Sequence, residues 1–167
     1  MMGWIKIKRG CVLLALIVIS LSPDARGQEP VLTKYSDNVG TLDGIIKAYY
    51  DVVTIGKGGK VNFERDSLLH VPGVRVAAIG QDQNGKSLLQ YTSLKQFHKE
   101  SDAYMEKNGF IEIEVDMKVE HIHNLWHVWS SYESRNISGG PVIERGINSI
   151  ELYSDGKRFW ILGWFYD

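Results

Sequence analysis

One cysteine stands among the 167 residues, at position 11. A single thiol allows neither an intrachain disulfide nor an all-thiolate zinc cluster. No sign of charge dominates: 19 Lys plus Arg face 20 Asp plus Glu, a formal net charge of −1. That balance supplies no electrostatic reason to bind nucleic acid and argues against a highly charged disordered tail. A membrane-spanning run is missing too, since the apolar stretch Cys11–Leu21 covers 11 residues and a span needs roughly 20. No serine lies in a G-x-S-x-G elbow, which removes support for a hydrolase of that type. The GKGG turn at 56–59 lacks phosphate-loop spacing and follows a helix rather than a strand. The QDQNG segment at 81–85 lacks the ligand spacing and distal Glu of a calcium loop. What is present is a 44% hydrophobic share with five Trp, eight Tyr and five Phe. That is the composition of one packed globular domain.

The first 27 residues read as an export signal. Lys6, Lys8 and Arg9 form a basic n-region, Cys11–Leu21 an apolar h-region, and Ala25 and Gly27 an A-x-A-like site. Cleavage at Gly27–Gln28 would leave 15 basic and 19 acidic residues, a net charge of −4, and no cysteine. The expected location is therefore periplasmic or extracellular, with no membrane attachment after cleavage and thiol chemistry excluded. Residues 28–40 read as a mobile leader, and 41–167 as the domain.

Thr41 suits an N-cap, and Leu42, Ile45, Ile46, Tyr49, Val52 and Val53 recur at helical spacing, predicting a helix over about 42–55. Phe63–His70 reads as a short second helix stopped by Pro72 and Gly73. Arg75–Ile79 and Ser87–Tyr91 read as strands joined by an Asn84-Gly85 turn. A third helix, capped by Thr92 or Ser93, ends at Asn108-Gly109. From there the period is alternating, with four strands to the C-terminus. The order is α-α-β-β-α-β-β-β-β, an α+β domain.

The first of those four strands alternates Ile111, Ile113, Val115, Met117 and Val119 with Glu112, Glu114, Asp116, Lys118 and Glu120. This predicts an apolar inner face and a polar outer one. A two-residue His123-Asn124 turn sets Val119 opposite Val128, Val115 opposite Tyr132 and Glu112 opposite Arg135. The same continuous register sets Glu114 against Glu133, a like-charge pair. The last strand, FWILGWFY at 159–166, has no polar side, so the outer sheet surface is expected to be covered, by a homodimer in the simplest case.

The stretches AYYDVV (48–53), HVWSSYESR (127–135), RGINSIEL (145–152) and DGKRFWIL (155–162) resemble the nuclear transport factor 2-like superfamily. This superfamily includes ketosteroid isomerase, scytalone dehydratase and polyketide cyclase-like proteins. The resemblance runs over about 41–167 and points to a secreted bacterial branch. It implies a strongly curved mixed or antiparallel sheet wrapped around the N-terminal helices, with a pocket at the open end of the cone. By motif position Tyr49 falls on the isomerases' oxyanion-binding tyrosine and Asn148 on their second acid. Their base position falls near Ala78, where no carboxylate exists, so isomerisation by that mechanism is not expected.

The pocket residues expected from this reading are Tyr49, Tyr91, His98, Trp126, Tyr132 and Asn148, an aromatic lining with few polar groups. No cofactor and no metal are expected. The His121/His123/His127 group divides between a hairpin tip and two sheet faces instead of converging on an ion. Glu120 opposite His127 reads as a cross-strand surface pair, and Asn136-Ile137-Ser138 is a glycosylation sequon by pattern. The expected ligand is a small, largely apolar molecule. The alternatives are a lyase, isomerase or cyclase acting on an apolar carbonyl compound through Tyr49 and Asn148, and a dimeric, non-catalytic interaction module with a filled core.

Overall fold

A computed structural model describes residues 31–167. The signal segment, its cleavage site and the first residues of the expected leader lie outside the described residues. Three helices, α1 (Leu42–Val53), α2 (Phe63–Ser67) and α3 (Leu94–Asn108), accompany six strands. The strands are β1 (His70–Gln81), β2 (Ser87–Ser93), β3 (Ile111–Ile122), β4 (Leu125–Arg135), β5 (Glu144–Ser154) and β6 (Phe159–Tyr166). They form one mixed sheet in the order β2-β1-β6-β5-β4-β3. All neighbours are antiparallel except β1 and β6, which run parallel. The element order is the one read from the sequence.

Local chemistry explains the boundaries. The Thr41 side chain accepts from the Gly44 amide and starts α1, while Ser93 does the same for α3 through Gln96. Gly109 closes α3 at φ +80°, where a Cβ would lie 2.3 Å from the Asn136 carbonyl, so glycine is required there. The second helix is shorter than expected. His70 opens β1 instead, and Pro72 and Gly73 fall where the pairing with β6 shifts register between His70 and Arg75. An irregular pairing tolerates a residue that cannot donate to the ladder. The segment 31–40, read as leader, folds back on the domain. Leu32 bridges Asn38, the Val39 carbonyl accepts from the Phe159 amide at 2.8 Å, and Arg65 grips the buried Asp37 in a bidentate pair. Val39 is part of the core.

The concave face of the sheet packs on α1. Ile45, Ile46, Tyr49 and Val52 meet Val128, Ile150, Leu152, Ile161 and Trp164, which is the period-3.6 stripe of α1 set against the period-2 face of the strands.

One feature of β3 departs from the expected register. From Ile122↔Leu125 to Asp116↔Ser131 the pairs are those predicted, but a bulge at Val115 then shifts the strand by one residue. Tyr132 faces Glu114 rather than Val115, Ser134 faces Glu112, and Arg135 faces Ile111. A one-residue shift exchanges the two faces of a strand. Ile113 and Val115, expected inside, point out, with Val115 53% exposed, whereas Glu112 turns in and is 8% exposed. The like-charge pair of the continuous register disappears, because Glu133 now stands opposite Ile113 and binds Arg135 and Arg145. Glu120 stands opposite His127 as expected, with its carboxylate also bound to Lys118 and His127 bonded to Ser149 at 3.0 Å.

Candidate functional site

A cavity of about 200 Å³ lies between the concave sheet, α1 and α3. Tyr49, Val53, Phe97, Met105, Phe110 and Trp164 supply apolar wall, and Glu112, Tyr132, Glu144, Asn148 and Tyr166 supply polar groups. The aromatic wall is held edge to face: Tyr49 and Phe97 meet the Trp164 ring at 5.9 and 5.5 Å.

Glu112 is the chemical centre of this wall. Its strand position is pinned by Thr54, the residue after α1. The Thr54 hydroxyl donates to the Glu112 carbonyl at 3.0 Å and accepts from the Glu112 amide at 3.2 Å. The Glu112 carboxylate accepts from Asn148 Nδ2 at 3.0 Å. Burial pushes the Glu112 carboxyl up to about 7; the Asn148 hydrogen bond opposes this and the Glu144 charge adds to it. Near neutral pH such a group can both give and take a proton. Burial, reinforced by the Glu112 charge, raises Tyr49 well above the ordinary phenol value, and burial with the Glu144 charge raises Tyr132. Both phenols therefore remain protonated donors on the cavity wall.

Adjacent residues on α1 point about 100° apart, so Tyr50 leaves the cavity and turns towards β4. Its hydroxyl lies 2.6 Å from Ser130 Oγ and 3.3 Å from Asn148 Nδ2, and Ser130 in turn donates to Glu114. Burial raises Tyr50 to about 12, against the hydrogen bonds of Ser130 and Asn148.

Of the six residues expected at the pocket, Tyr49, Tyr132 and Asn148 line the cavity together. The other three lie elsewhere. Tyr91 stands opposite Ala77, in the row that continues to Phe165 on the outer face, and is 54% exposed. Trp126 lies at the hairpin end of the sheet, stacked under His121 at 4.2 Å and against Phe159. His98 is buried between two carboxylates, with Nε2 2.8 Å from Asp66 and Nδ1 2.9 Å from Asp102. It joins α2 to α3. Burial lowers His98, but the bonds and charges of Asp66 and Asp102 outweigh that, so its net shift is upward. Among the described residues no group of three or more His, Cys, Asp or Glu is arranged to hold a metal ion. No described helix is long and apolar enough to cross a membrane.

Glu112, the acid that the alternation placed on the outer face, is the residue this reading missed. The one trace of it in the sequence was the forced Glu114–Glu133 pairing, a sign that the register breaks between the turn and that point.

No family model matches the chain, and no curated protein does. Solved structures do. A chain of the yeast deubiquitinase Ubp3–Bre5 cofactor complex aligns with a TM-score of 0.51 at 11% identity, over 74% of this chain and 90% of its own length. An NTF2-like protein of unknown function from Silicibacter pomeroyi aligns at 0.47 and 13% identity, over 75% and 91%. Another from Methylobacillus flagellatus aligns at 0.48 and 12%, over 74% and 86%. At 11% identity the likeness to the first of these speaks for the fold alone and leaves activity open. An open six-stranded mixed sheet packed on α1, in this element order and with a cavity between sheet and helices, is an α+β fold shared with the aligned chain of the Ubp3–Bre5 complex and consistent with the NTF2-like cone.

Proposed function

We propose that this is an exported domain that binds a small, largely apolar ligand in the cavity of the cone, anchored at one end by Glu112 and Asn148. The observation that carries this reading is the cavity itself: an aromatic-walled space of about 200 Å³ in which Glu112 and Asn148 form the fixed polar pair. An apolar cavity of roughly 150 Å³ accepts a benzene ring, so the size suits a monocyclic molecule with one polar substituent. A ligand carbonyl or hydroxyl would take donors from the phenols of Tyr49 and Tyr132, and the rings would bury its apolar body. Acetophenone is a suitable probe, followed through the indole N–H resonance of Trp164. Saturable binding that is lost when Ser101, on the cavity wall, is enlarged to Phe supports the reading; binding unchanged by Ser101→Phe overturns it.

The raised carboxyl of Glu112 favours a second reading, an enzyme that moves a proton on carbon next to a carbonyl group. Glu112 would be the base, and Tyr49 or Tyr132 would donate to the developing enolate oxygen. Deuterium exchange into the α-carbon of acetophenone, accelerated by the protein and abolished in Glu112→Gln, tests it; equal rates in both proteins refute it. Export rests on the signal-like N-terminus alone. Pairing of two copies through the outer sheet face is supported by Leu89, 61% exposed, and by Tyr91, Ile147 and Trp129, exposed at other points across the sheet. A monomer at micromolar concentration would remove the pairing.

A further inference from the structure

We propose that Glu114 is a positioning residue for Glu112: through Ser130, Tyr50 and Asn148 it sets how the buried carboxyl is hydrogen-bonded, and so whether the cavity presents a proton donor or an acceptor. This builds on the cavity reading above but concerns the ligand-free protein.

The chain of bonds has a direction. Ser130 has one hydroxyl proton and gives it to Glu114, so Ser130 must accept from Tyr50 across their 2.6 Å contact. Tyr50, having donated to Ser130, accepts from Asn148 Nδ2. The same amide group donates to Glu112. Every donor along the Tyr50–Ser130 limb thus points towards Glu114, which, ionised, can only accept. When Glu114 takes up a proton it becomes a donor, and Ser130 can turn its own proton to Tyr50. The phenol turned back meets Asn148 Nδ2, itself a donor, so the amide has to present its Oδ1 there and withdraw Nδ2 from Glu112. Loss of that donor, with an acceptor in its place, favours protonated Glu112. Proton uptake at the outer carboxyl is thereby coupled to proton retention at the inner one.

The two carboxyls also face different surroundings. Glu112 borders the inner cavity and, on its other side, a groove of about 370 Å³ beneath α1, where Glu114 lies beside Tyr50, Thr54 and Met117. Glu114 is thus open to solution conditions that the inner cavity, once filled by ligand, is shielded from. The bulge at Val115 creates this arrangement, because it alone brings residues 112 and 114 onto the face that carries Ser130 and Asn148.

Other charged and titratable groups face the pair. Tyr49 and Tyr50 on α1, Tyr104 on α3, Tyr132 on β4, Glu144 on β5 and Tyr166 on β6 surround Glu112. Asp43, Lys47 and Asp51 on α1 border the groove at Glu114, and Asp116 lies two residues beyond it on β3. All are common to the variants below and cancel in the comparison.

The experiment is a ¹³C titration of the glutamate side-chain carboxyls in the ligand-free protein. Ser130→Ala breaks the chain and keeps the Glu114 charge. Glu114→Gln removes the charge and keeps an acceptor, whereas Glu114→Met removes both. The expected result is a Glu112 midpoint raised by about one pH unit in Ser130→Ala, and a higher midpoint in Glu114→Met than in Glu114→Gln. The Ser130→Ala/Glu114→Met double variant should move no further than the larger single one. A midpoint unmoved by Ser130→Ala, or equal midpoints in the Gln and Met variants, overturns the proposal. Glu114 stands at the groove, so its variants keep the test available should Ser130→Ala fail to fold. Failure of acetophenone to bind would sink the cavity reading while leaving this titration intact, and the reverse also holds.

Discussion

Replacing Glu112 by Gln should make the protein more stable, and increasingly so as pH rises. In the folded protein the carboxyl ionises at about 7 against an ordinary value of 4.5. The folded state therefore holds its proton over a range in which the unfolded state has lost it. Stability falls where the native state binds more protons than the unfolded one. The loss begins as pH passes 4.5, grows through the interval and levels off above about 7. At about 1.4 kcal/mol per pH unit the full cost is about 3 kcal/mol. A glutamine keeps the acceptor for Asn148 Nδ2 and fills nearly the same volume but never charges. Below pH 4.5 both proteins are neutral at this position, and their stabilities should agree to within a few tenths of a kcal/mol. At pH 8.5 the variant should be ahead by about 3 kcal/mol, or roughly 10 °C in melting temperature for a domain of this size. Thermal and urea unfolding at half-unit steps from pH 4 to pH 9 measure the difference curve. A flat curve, or one that slopes the other way, would refute both the burial of Glu112 and the bulge that causes it.

Three further outcomes follow from neighbouring parts of the structure. Deleting Val115 should remove the bulge, return Glu112 and Glu114 to the outer face and abolish the near-neutral carboxyl titration; the ¹³C spectrum of the glutamates reads this directly. His98→Gln removes a group whose folded value is raised, so the stability it loses should be greatest below about pH 6.5 and should shrink as pH rises through the raised value, by unfolding at pH 5.5 against pH 8. Gly146→Ala should destabilise by about 1–3 kcal/mol, because the new Cβ would lie 2.3 Å from the Asp167 carbonyl and 2.6 Å from the Tyr132 hydroxyl; the melting temperature measures it, and no change would mean that the β5 end is looser than described.

Much of the fold was legible because it rests on short-range patterns. The Thr41 cap, the apolar stripe of α1, the Gly109 stop and the strand that begins at residue 111 each follow from neighbours in sequence, and the structure has them in place. The site was legible only in part. Tyr49 was readable because its helix face is set by period, and Tyr132 and Asn148 because β4 and β5 run without interruption across from one another. Tyr91 and Trp126 were misplaced for a different reason: aromatic character does not tell which face or which end of a sheet a strand residue occupies, and that depends on the pairing partner. His98 carried no sign of Asp66, which lies 32 positions earlier and meets it only when α2 and α3 pack.

What the sequence by itself determined, then, is the order of the elements, the composition of their apolar faces and the exclusion of thiol chemistry from any cleaved form. What only the tertiary structure decided is which acids are inside. A strand's alternation defines two faces, and a single extra residue between paired strands exchanges them without altering the pattern of residue types. Val115 is that residue. Its cause is the fit of β3 to β4 and to Thr54 at the end of α1, an interaction between segments far apart in the chain, and through it a glutamate that reads as surface becomes the one buried carboxyl on the cavity wall.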